Sequence, residues 1–333
     1  MSPEAAHSFP VETVVSGRIR VRIVAMRLES EAVLSFELRA EESDLPAAEP
    51  GAHIDVYLAN GLIRSYSLCK AAPAGGAYVI AVGASDSSRG GSKYLREEMR
   101  VGQILDVSPP RNNFPLAGGA APCVLIAGGI GITPVWSMVQ ALAEAQRPWT
   151  VYYSARSARR AAFTVALERL AQASGGKAHF SFGDDPLRAR HDIPQIIAGA
   201  SPETHFYCCG PAAMLEAFQT ATEGLPREHV HMERFAAAGT IPLAEGEYTV
   251  ECARSGKTLR IVPGQTILDA ALAVGIDAPY SCREGVCGAC ETRLLEGVPE
   301  HRDLILSAGE RASGKVMLIC CSGAKSDRLV LDL

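Results

Sequence analysis

Cysteine spacing near the end of the chain limits the possible folds more than any other feature of the sequence. Cys282, Cys287 and Cys290 follow the pattern C-x4-C-x2-C, and about thirty residues later the adjacent pair Cys320 and Cys321 offers a further sulfur. This is the ligand spacing of a plant-type [2Fe–2S] cluster, which takes three thiolates from one short loop and the fourth from a remote segment. The spacing leaves the choice between Cys320 and Cys321 open.

Two glycines between these cysteines fit the same interpretation. Gly285 and Gly288 can adopt backbone angles closed to other residues and can direct backbone N–H groups at sulfur, which would raise the reduction potential of a cluster. The alternatives are a structural zinc site or a set of unrelated buried cysteines. Zinc sites more often pair two C-x2-C units or include histidine, and neither occurs here, so the sequence favours the cluster.

The composition indicates more than one globular domain. A chain of 333 residues is too long for one ordinary core, and its net charge of −5 argues against nucleic-acid binding. The first residues lack a signal-peptide pattern and no stretch is apolar enough to cross a bilayer, so we expect a cytoplasmic protein that binds no membrane. In that compartment Cys69, Cys123, Cys208 and Cys252 are expected to be buried hydrophobic residues rather than disulfide partners.

The region from residue 18 to about residue 115 alternates apolar and polar residues in short segments, which predicts an antiparallel barrel or sandwich. One segment carries the run RSYSL. Its Arg64 can hold a phosphate, Tyr66 can face a ring system, and the hydroxyls of Ser65 and Ser67 can hydrogen-bond such a group, which suits a flavin nucleotide. By pattern alone, an ordinary surface strand is the simpler explanation.

A second run in this region indicates a phosphate site. RGGSK directly precedes a segment with helical periodicity. Gly91 and Ser92 at a helix start would present free N–H groups and the positive end of the helix dipole, and Lys93 would add a point charge. Simple capping of the helix by Ser92 is the alternative, and the two roles are compatible.

From Cys123 onward, strand-like runs alternate with helical ones, which predicts a parallel sheet covered by helices. Ligands bind such sheets at the carboxyl ends of the strands. The first strand-like run ends in a turn that suits a pyrophosphate, although it differs from the G-x-G-x-x-G motif and no acidic residue closes the second strand. A tight turn without a ligand is the alternative. The residues of this turn are Gly128, Gly129, Gly131, Thr133 and Pro134.

The runs RSYSL, RGGSKYL and PPRNNFPL follow one another as in ferredoxin-reductase-type flavin domains, and the chain resembles the family of phthalate dioxygenase reductase and vanillate O-demethylase reductase. The resemblance implies bound FMN, with FAD as the alternative. It implies that Arg64 and the helix start at Ser92 bind the phosphate, that Tyr66 packs on the isoalloxazine and that Ser67 lies near N5. It also selects Cys320 as the fourth cluster ligand, because related ferredoxin domains carry cysteine and then an apolar residue there.

The same resemblance implies the nicotinamide site. In the family a GGxGxTP turn pairs with a later C-G-P, which here is Cys209-Gly210-Pro211. Thr133 and Cys209 are implied to lie beside the nicotinamide, with the sulfur as a packing contact rather than a nucleophile. Phe235 resembles the aromatic residue that covers the flavin, and a core aromatic is the alternative.

The nucleotide preference depends on a short basic segment. Arg156 at the end of the second strand could meet a ribose hydroxyl or a 2′-phosphate. The family leans to NADH, while Arg159 and Arg160 keep NADPH open unless they are solvated surface charge.

The expected chain is therefore multidomain, with an FMN-binding antiparallel β-barrel over 1–117, an α/β parallel-sheet NAD(P)H-binding domain over 118–236, a linker over 237–246 and an α+β β-grasp ferredoxin domain over 247–333. The resemblance implies the reductase component of a Rieske non-haem iron oxygenase system in aromatic compound catabolism. It would take hydride from NADH onto FMN and pass single electrons through the [2Fe–2S] cluster to the terminal oxygenase. Two alternatives remain: an FAD-containing reductase of a diiron monooxygenase, and a free-flavin reductase or redox sensor with a structural cluster.

Overall fold

The computed structural model describes residues 17–84, 90–185, 190–236 and 246–333. It contains the three expected kinds of sheet, so the predicted multidomain fold class is confirmed. The predicted boundary after residue 117 falls between the last strand of the first sheet and the first strand of the second. Residues 237–245 of the predicted linker lie outside the described residues.

The amino-terminal domain is an antiparallel sheet closed into a barrel. Its elements are β1 (Ile19–Ser30), β2 (Val33–Ala40), β3 (His53–Tyr57), β4 (Ile63–Ser67), β5 (Tyr78–Gly83), α1 (Gly91–Glu98) and β6 (Ile104–Val107). The strands pair in the order β4-β3-β6-β1-β2-β5, and a bridge between Leu68 and Ile80 joins the two ends. Alternation of apolar residues buries one face of these strands around Phe36 and Ile54.

The second domain is a parallel sheet with helices on both faces. Its elements are β7 (Cys123–Gly128), α2 (Ile132–Glu144), β8 (Trp149–Ala155), α3 (Thr164–Ser174), β9 (Lys177–Phe182), α4 (Ile193–Ala198), β10 (His205–Cys209), α5 (Ala212–Ala221) and β11 (Val230–Glu233). The strand order is β11-β10-β7-β8-β9. Strand β7 leads through a short 3-10 turn, Gly129–Gly131, into α2. The carboxyl ends of β7 and β10 are therefore neighbours, as ligand binding at this edge requires.

The carboxyl-terminal domain is a small mixed sheet crossed by one helix. Its elements are β12 (Tyr248–Cys252), β13 (Lys257–Ile261), α6 (Ile267–Ala273), β14 (Glu291–Glu296), β15 (Pro299–Glu300), α7 (Ala308–Ser313), β16 (Val316–Leu318), β17 (Gly323–Ala324) and β18 (Arg328–Leu331). The main sheet has the order β13-β12-β18-β14-β16. Thr266 caps α6 by accepting a hydrogen bond from the amide of Asp269, and the helix packs over the sheet core.

The barrel and the parallel sheet share one apolar core. Val33, Ala81 and Phe114 belong to the same buried cluster as Val135 and Met138 of α2. Full burial of an aliphatic or aromatic side chain contributes about 1.5–3 kcal/mol, so this shared core resists separation of the two domains. Within the part of the chain that the structure describes, none of the helices has the length and apolar character of a membrane span.

Candidate cofactor sites

The four predicted sulfur ligands lie together in the carboxyl-terminal domain. The thiol of Cys282 interacts with those of Cys287 and Cys320, and Cys320 also interacts with Cys290. Three of these cysteines belong to the loop between α6 and β14, whereas Cys320 follows β16. Because β14 and β16 are paired, the sheet brings the remote sulfur back to the loop.

Backbone N–H groups of this loop point at sulfur. The amide of Cys282 donates to Cys287 Sγ at 3.4 Å, and the amide of Glu284 donates to Cys282 Sγ at 3.3 Å. Donors of this kind favour the thiolate over the thiol, and second-shell hydrogen bonds tune a bound metal group. The chemistry of this donor set therefore fits a [2Fe–2S] core.

The glycines in the loop are required by its geometry. Gly285 and Gly288 have φ angles of 64° and 76°, in the left-handed region that favours glycine. A β-carbon at Gly285 would lie 2.7 Å from Cys321 Sγ and 3.0 Å from the Cα atom of Asp303. The loop thus folds so tightly against the following segments that a larger residue would displace it.

Cys320 is better placed than Cys321 as the fourth ligand. The thiol of Cys320 interacts with those of Cys282 and Cys290. Cys321 Sγ instead lies 3.7 Å from the Leu318 carbonyl oxygen and 3.9 Å from Ser322 Oγ, next to Gly285. Among the described residues, no three cysteine, histidine or carboxylate side chains surround a single ion position. A two-iron core differs from such a site because it divides four thiolates between two metals.

The two predicted phosphate-binding elements of the barrel meet. A β-carbon at Gly91 would lie 2.9 Å from Nε of Arg64, so the arginine side chain lies across the first residue of α1. Helix α1 begins after Gly90, which has a φ of 90°, and it has no side-chain cap; Ser92 lies in the first turn instead of capping it. Arg64 and the positive end of this helix therefore converge on one position, as an anion site requires. Lys93 faces Glu97 at 3.9 Å along the exposed surface of the helix instead.

The next residues of β4 lead toward the parallel sheet. Tyr66 packs against the barrel core, and burial raises the pKa of its hydroxyl while nearby Arg64 lowers it in part. Ser67 is buried at the end of the strand and donates a hydrogen bond to the carboxylate of Glu233. The end of β4 in the barrel thus touches the end of β11 in the parallel sheet.

Glu233 is a site residue that the sequence analysis missed. Burial raises the pKa of its carboxyl to about 8, although the hydrogen bond from Ser67 lowers it. Cys209 Sγ lies 4.0 Å from Glu233 Oε2, and burial together with this carboxylate raises the pKa of the thiol well above its ordinary value. Cys209 therefore stays protonated, as expected for a packing contact. Its position in the sequence could have identified it, because Glu233 ends a strand at the ligand-binding edge of a parallel sheet.

The predicted pyrophosphate turn and the predicted nicotinamide segment Cys209-Gly210-Pro211 interlock at this edge. A β-carbon at Gly131 would lie 2.6 Å from the carbonyl carbon of Cys209, and one at Gly128 would lie 2.9 Å from Met214 Sδ. Thr133 lies beside them in the first turn of α2, and its hydroxyl donates to the Ile130 carbonyl at 3.0 Å. The structure therefore brings together Gly128, Gly131, Thr133, Cys209, Gly210 and Pro211, as the sequence predicts.

The remaining predicted residues are more exposed. Phe235 has 41% of its surface exposed, so it is not a core aromatic. Arg156 directly follows β8 at the same sheet edge. The Arg159 guanidinium lies 3.6 Å from the Glu31 carboxylate of the barrel, and the Arg159 carbonyl accepts a hydrogen bond from the Glu31 amide. This arginine therefore connects the parallel-sheet domain to the barrel.

A cleft of about 640 Å³ lies elsewhere, in the carboxyl-terminal domain, and is lined by His301, Arg311 and Lys325 among others. It contains none of the predicted cofactor residues. The residues predicted to bind flavin, nicotinamide and the cluster lie instead on β4, at the ends of β7 and β10, and in the cysteine loop.

Comparison with known proteins agrees with this arrangement. Residues 250–325 match the family model of the 2Fe-2S iron-sulfur cluster binding domain, and residues 125–220 match that of the oxidoreductase NAD-binding domain. The chain is 49% identical over 316 residues to the phenoxybenzoate dioxygenase subunit beta of Ectopseudomonas oleovorans, covering 95% of this chain and 97% of that protein. It is 45% identical over 326 residues to the tetrachlorobenzoquinone reductase of Sphingobium chlorophenolicum, covering 97% and 99%. Among solved structures, phthalate dioxygenase reductase superposes with a TM-score of 0.67 at 36% identity, covering 95% of this chain and 98% of that one.

Proposed function

The chain belongs to the phthalate dioxygenase reductase family, and from that membership we propose that it is the NADH-oxidising, FMN-containing reductase component of a Rieske-type oxygenase system. It is an oxidoreductase with an NAD-binding domain and a [2Fe–2S] domain. Its relatives include a dioxygenase subunit and a reductase whose structure is described as modular for electron transfer from pyridine nucleotides to [2Fe–2S]. A terminal oxygenase acting on an aromatic compound is therefore the proposed partner, and the cytoplasm is the proposed location.

One observation supports this function above the others: the proposed flavin strand touches both neighbouring sites. Ser67 of β4 meets Glu233 at the nicotinamide edge, and Ser65 of the same strand lies 3.0 Å from Ser281, next to the first cysteine of the cluster loop. A bound flavin accepts an electron pair as hydride and releases electrons singly, which joins a two-electron donor to a one-electron cluster. These two contacts support a flavin bound between donor and acceptor.

The side chains have separate tasks in this scheme. Arg64 and the start of α1 bind the FMN phosphate, because a guanidinium and the positive end of a helix meet there. Gly128, Gly131 and Pro211 form the close turns against which the NADH pyrophosphate lies. Ser67 donates a hydrogen bond to Glu233, which holds a proton below about pH 8 and so places little charge beside the reacting edge of the flavin. Phe235 is exposed and would be the aromatic side chain that covers the flavin.

An anaerobic stopped-flow experiment with NADH tests this function. Absorbance should show flavin reduction first and bleaching of the cluster second. In a Cys287→Ser variant the first phase should remain and reduction of a native cluster should be lost. Wild-type cluster reduction in that variant would contradict the ligand assignment, and no NADH-dependent bleaching in the wild type would contradict the function.

Two assays address the finer identifications. Chromatography of the flavin released by denaturation separates FMN from FAD, and FAD would favour the reductase of a diiron monooxygenase. The ratio of kcat/KM for NADH and NADPH reports the nucleotide preference, and we expect NADH to be preferred because Arg159 already pairs with Glu31.

A second candidate function is direct reduction of a quinone or of free flavin. It is favoured by the 45% identity to tetrachlorobenzoquinone reductase. Direct transfer from the flavin does not need the cluster, so turnover with the quinone should then persist in a Cys320→Val variant. If turnover falls with cluster content, electrons leave through the cluster and the oxygenase-reductase function stands.

A further inference from the structure

We propose that two side-chain contacts between the barrel and the cysteine loop, Ser65 with Ser281 and Asn113 with Cys287, fix the cluster against the flavin strand and thereby set the rate of electron transfer between them. The inference deepens the proposed function and rests on it. It assigns a positioning role to Ser281 and Asn113, which are outside the nucleotide-binding and sulfur-ligand sets.

The first contact joins the flavin strand to the residue before the first cluster cysteine. Ser65 Oγ lies 2.6 Å from Asp55 Oδ1 and 3.0 Å from Ser281 Oγ. A serine hydroxyl has a single hydrogen, and the carboxylate is the stronger acceptor, so Ser65 donates to Asp55. Ser281 must then donate to Ser65. The resulting chain runs in one direction, from the cluster loop through β4 to a buried carboxylate.

Asp55 is a rigid anchor for this chain. Its side chain is only 2% exposed, and Arg111 Nη2 donates to its second oxygen at 2.6 Å. Asp55 and Ser65 are direct partners in the pairing of β3 with β4, so their side chains emerge on the same face of the sheet. The acceptor that orients Ser65 is therefore held by both an ion pair and strand register.

The second contact reaches the other end of the C-x4-C segment. Asn113 Nδ2 donates to the carbonyl oxygen of Cys287 at 3.1 Å. A β-carbon at the neighbouring Gly288 would lie 3.2 Å from the same nitrogen, so the amide packs closely against the loop. Asn113 follows Arg111 by two residues, and Arg111 forms a backbone bridge with His53 of β3. Both contacts thus originate from the same side of the barrel.

These positions explain why the contacts control transfer rather than binding of either cofactor. Ser281 precedes Cys282, and Asn113 meets the carbonyl of Cys287, so the two ends of the segment between the first two ligands are both attached to the barrel. Neither Ser281 nor Asn113 supplies a sulfur or a phosphate contact. Loss of one contact should loosen the loop from β4 while hydride transfer to the flavin continues.

The test compares Ser281→Ala, Asn113→Ala and the double variant with Ser307→Ala in the full chain. Ser307→Ala is a matched control because it also removes a serine hydrogen bond in the same domain. In the wild type, Ser307 Oγ caps α7 by accepting a hydrogen bond from the amide of Glu310. Anaerobic stopped flow with NADH measures flavin reduction and cluster reduction separately. EPR of the dithionite-reduced protein checks that the cluster is intact, and hydrogen–deuterium exchange of residues 282–290 measures attachment of the loop without turnover.

We expect each single variant to slow cluster reduction about tenfold and the double variant to slow it more than either single variant, because each contact is one partly buried hydrogen bond to the same loop. Flavin reduction and the EPR spectrum should be unchanged, amide exchange in 282–290 should be faster, and Ser307→Ala should behave as wild type. Cluster reduction at the wild-type rate in the double variant would overturn the proposal, as would equal slowing of both phases. Absence of cluster reduction in the wild type would instead refute the proposed function itself.

Discussion

Replacing Gly131 by alanine tests whether the two nucleotide-binding turns depend on their close approach. Gly131 has an ordinary helical φ of −60°, so alanine causes no backbone strain there. Its β-carbon would nevertheless lie 2.6 Å from the carbonyl carbon of Cys209 and 3.0 Å from the amide nitrogen of Gly210. These are backbone atoms at the end of β10, which no rotamer change can move away.

The required displacement sets the size of the effect. Non-bonded carbons prefer a separation of about 3.5 Å or more, so the turn after β7 and the end of β10 must separate by roughly 1 Å. Overpacking of this kind typically costs about 1–3 kcal/mol of folding stability. A shift of about 1 Å in the groups that position a substrate can reduce the reaction rate about a hundredfold. We therefore expect a modest loss of stability and a large loss of kcat/KM for NADH.

Ferricyanide reduction by NADH is the appropriate assay, because it can draw electrons at the level of the flavin and is independent of a partner protein. Gly118→Ala is the matched control, since a β-carbon there meets nothing within 4 Å and the φ angle is not left-handed. Urea unfolding of both variants measures the change in folding stability. The reasoning is refuted if Gly131→Ala keeps kcat/KM for NADH within about twofold of wild type, a small fraction of the hundredfold effect expected.

Three further predictions concern the cluster, the nicotinamide edge and the barrel. Cys321→Val should retain iron and the visible and EPR signals of the cluster, whereas Cys320→Val should lose them, because Cys320 contacts Cys282 and Cys290. Burial raises the pKa of Glu233 to about 8 from an ordinary 4.5, so between these pH values the folded state binds more protons than the unfolded state and stability falls as pH rises. The urea midpoint of the Glu233→Gln variant should lack this fall. The same pH dependence of the midpoint in wild type and variant would contradict the prediction. Arg111→Met should lower the free energy of unfolding by about 3 kcal/mol, because it leaves the buried Asp55 carboxylate without its ion-pair partner; Arg254→Met, which breaks an exposed pair, should cost less than about 1 kcal/mol.

Sequence reasoning succeeded where a short local pattern has one physical cause. The run from Ile19 to Ser30 alternates apolar and polar residues and forms β1, and the glycine-rich turn after β7 leads into α2. Spacing of the cysteines requires a loop and a remote strand, and β16 returns Cys320 to that loop. In each case the structure depends on residues within one element or on the order of elements, and hydrophobic periodicity and residue spacing predict both.

What the sequence analysis missed are contacts between elements that are far apart in the chain. Glu233 is one acidic residue among many, and only the approach of β4 to β11 gives it Ser67 as a partner and a raised pKa. Asp55 and Arg111 are separated by 56 residues in the chain, and their ion pair depends on the pairing of β3 with the segment after β6. The phosphate contact of Lys93 stays a prediction, because its exposed side chain lies 3.9 Å from Glu97 and the motif alone does not specify its direction. A motif specifies residue types, but the direction of each side chain depends on packing that one sequence does not display.

Strand β4 explains how one short segment can serve three sites. Successive side chains of a strand point to opposite faces, so Arg64 and Tyr66 share one face while Ser65 and Ser67 share the other. Arg64 lies across Gly91 at the proposed FMN phosphate site, and Tyr66 packs against the barrel core. Ser65 meets Ser281 of the cluster loop and Ser67 meets Glu233 of the nicotinamide edge, about 7 Å apart along the strand. Because Ser281 contributes the contact from the cluster loop, docking of that loop can be altered without replacing Arg64, Tyr66 or Ser67. That separation is what allows the rates of flavin reduction and cluster reduction to respond differently in the variants proposed above.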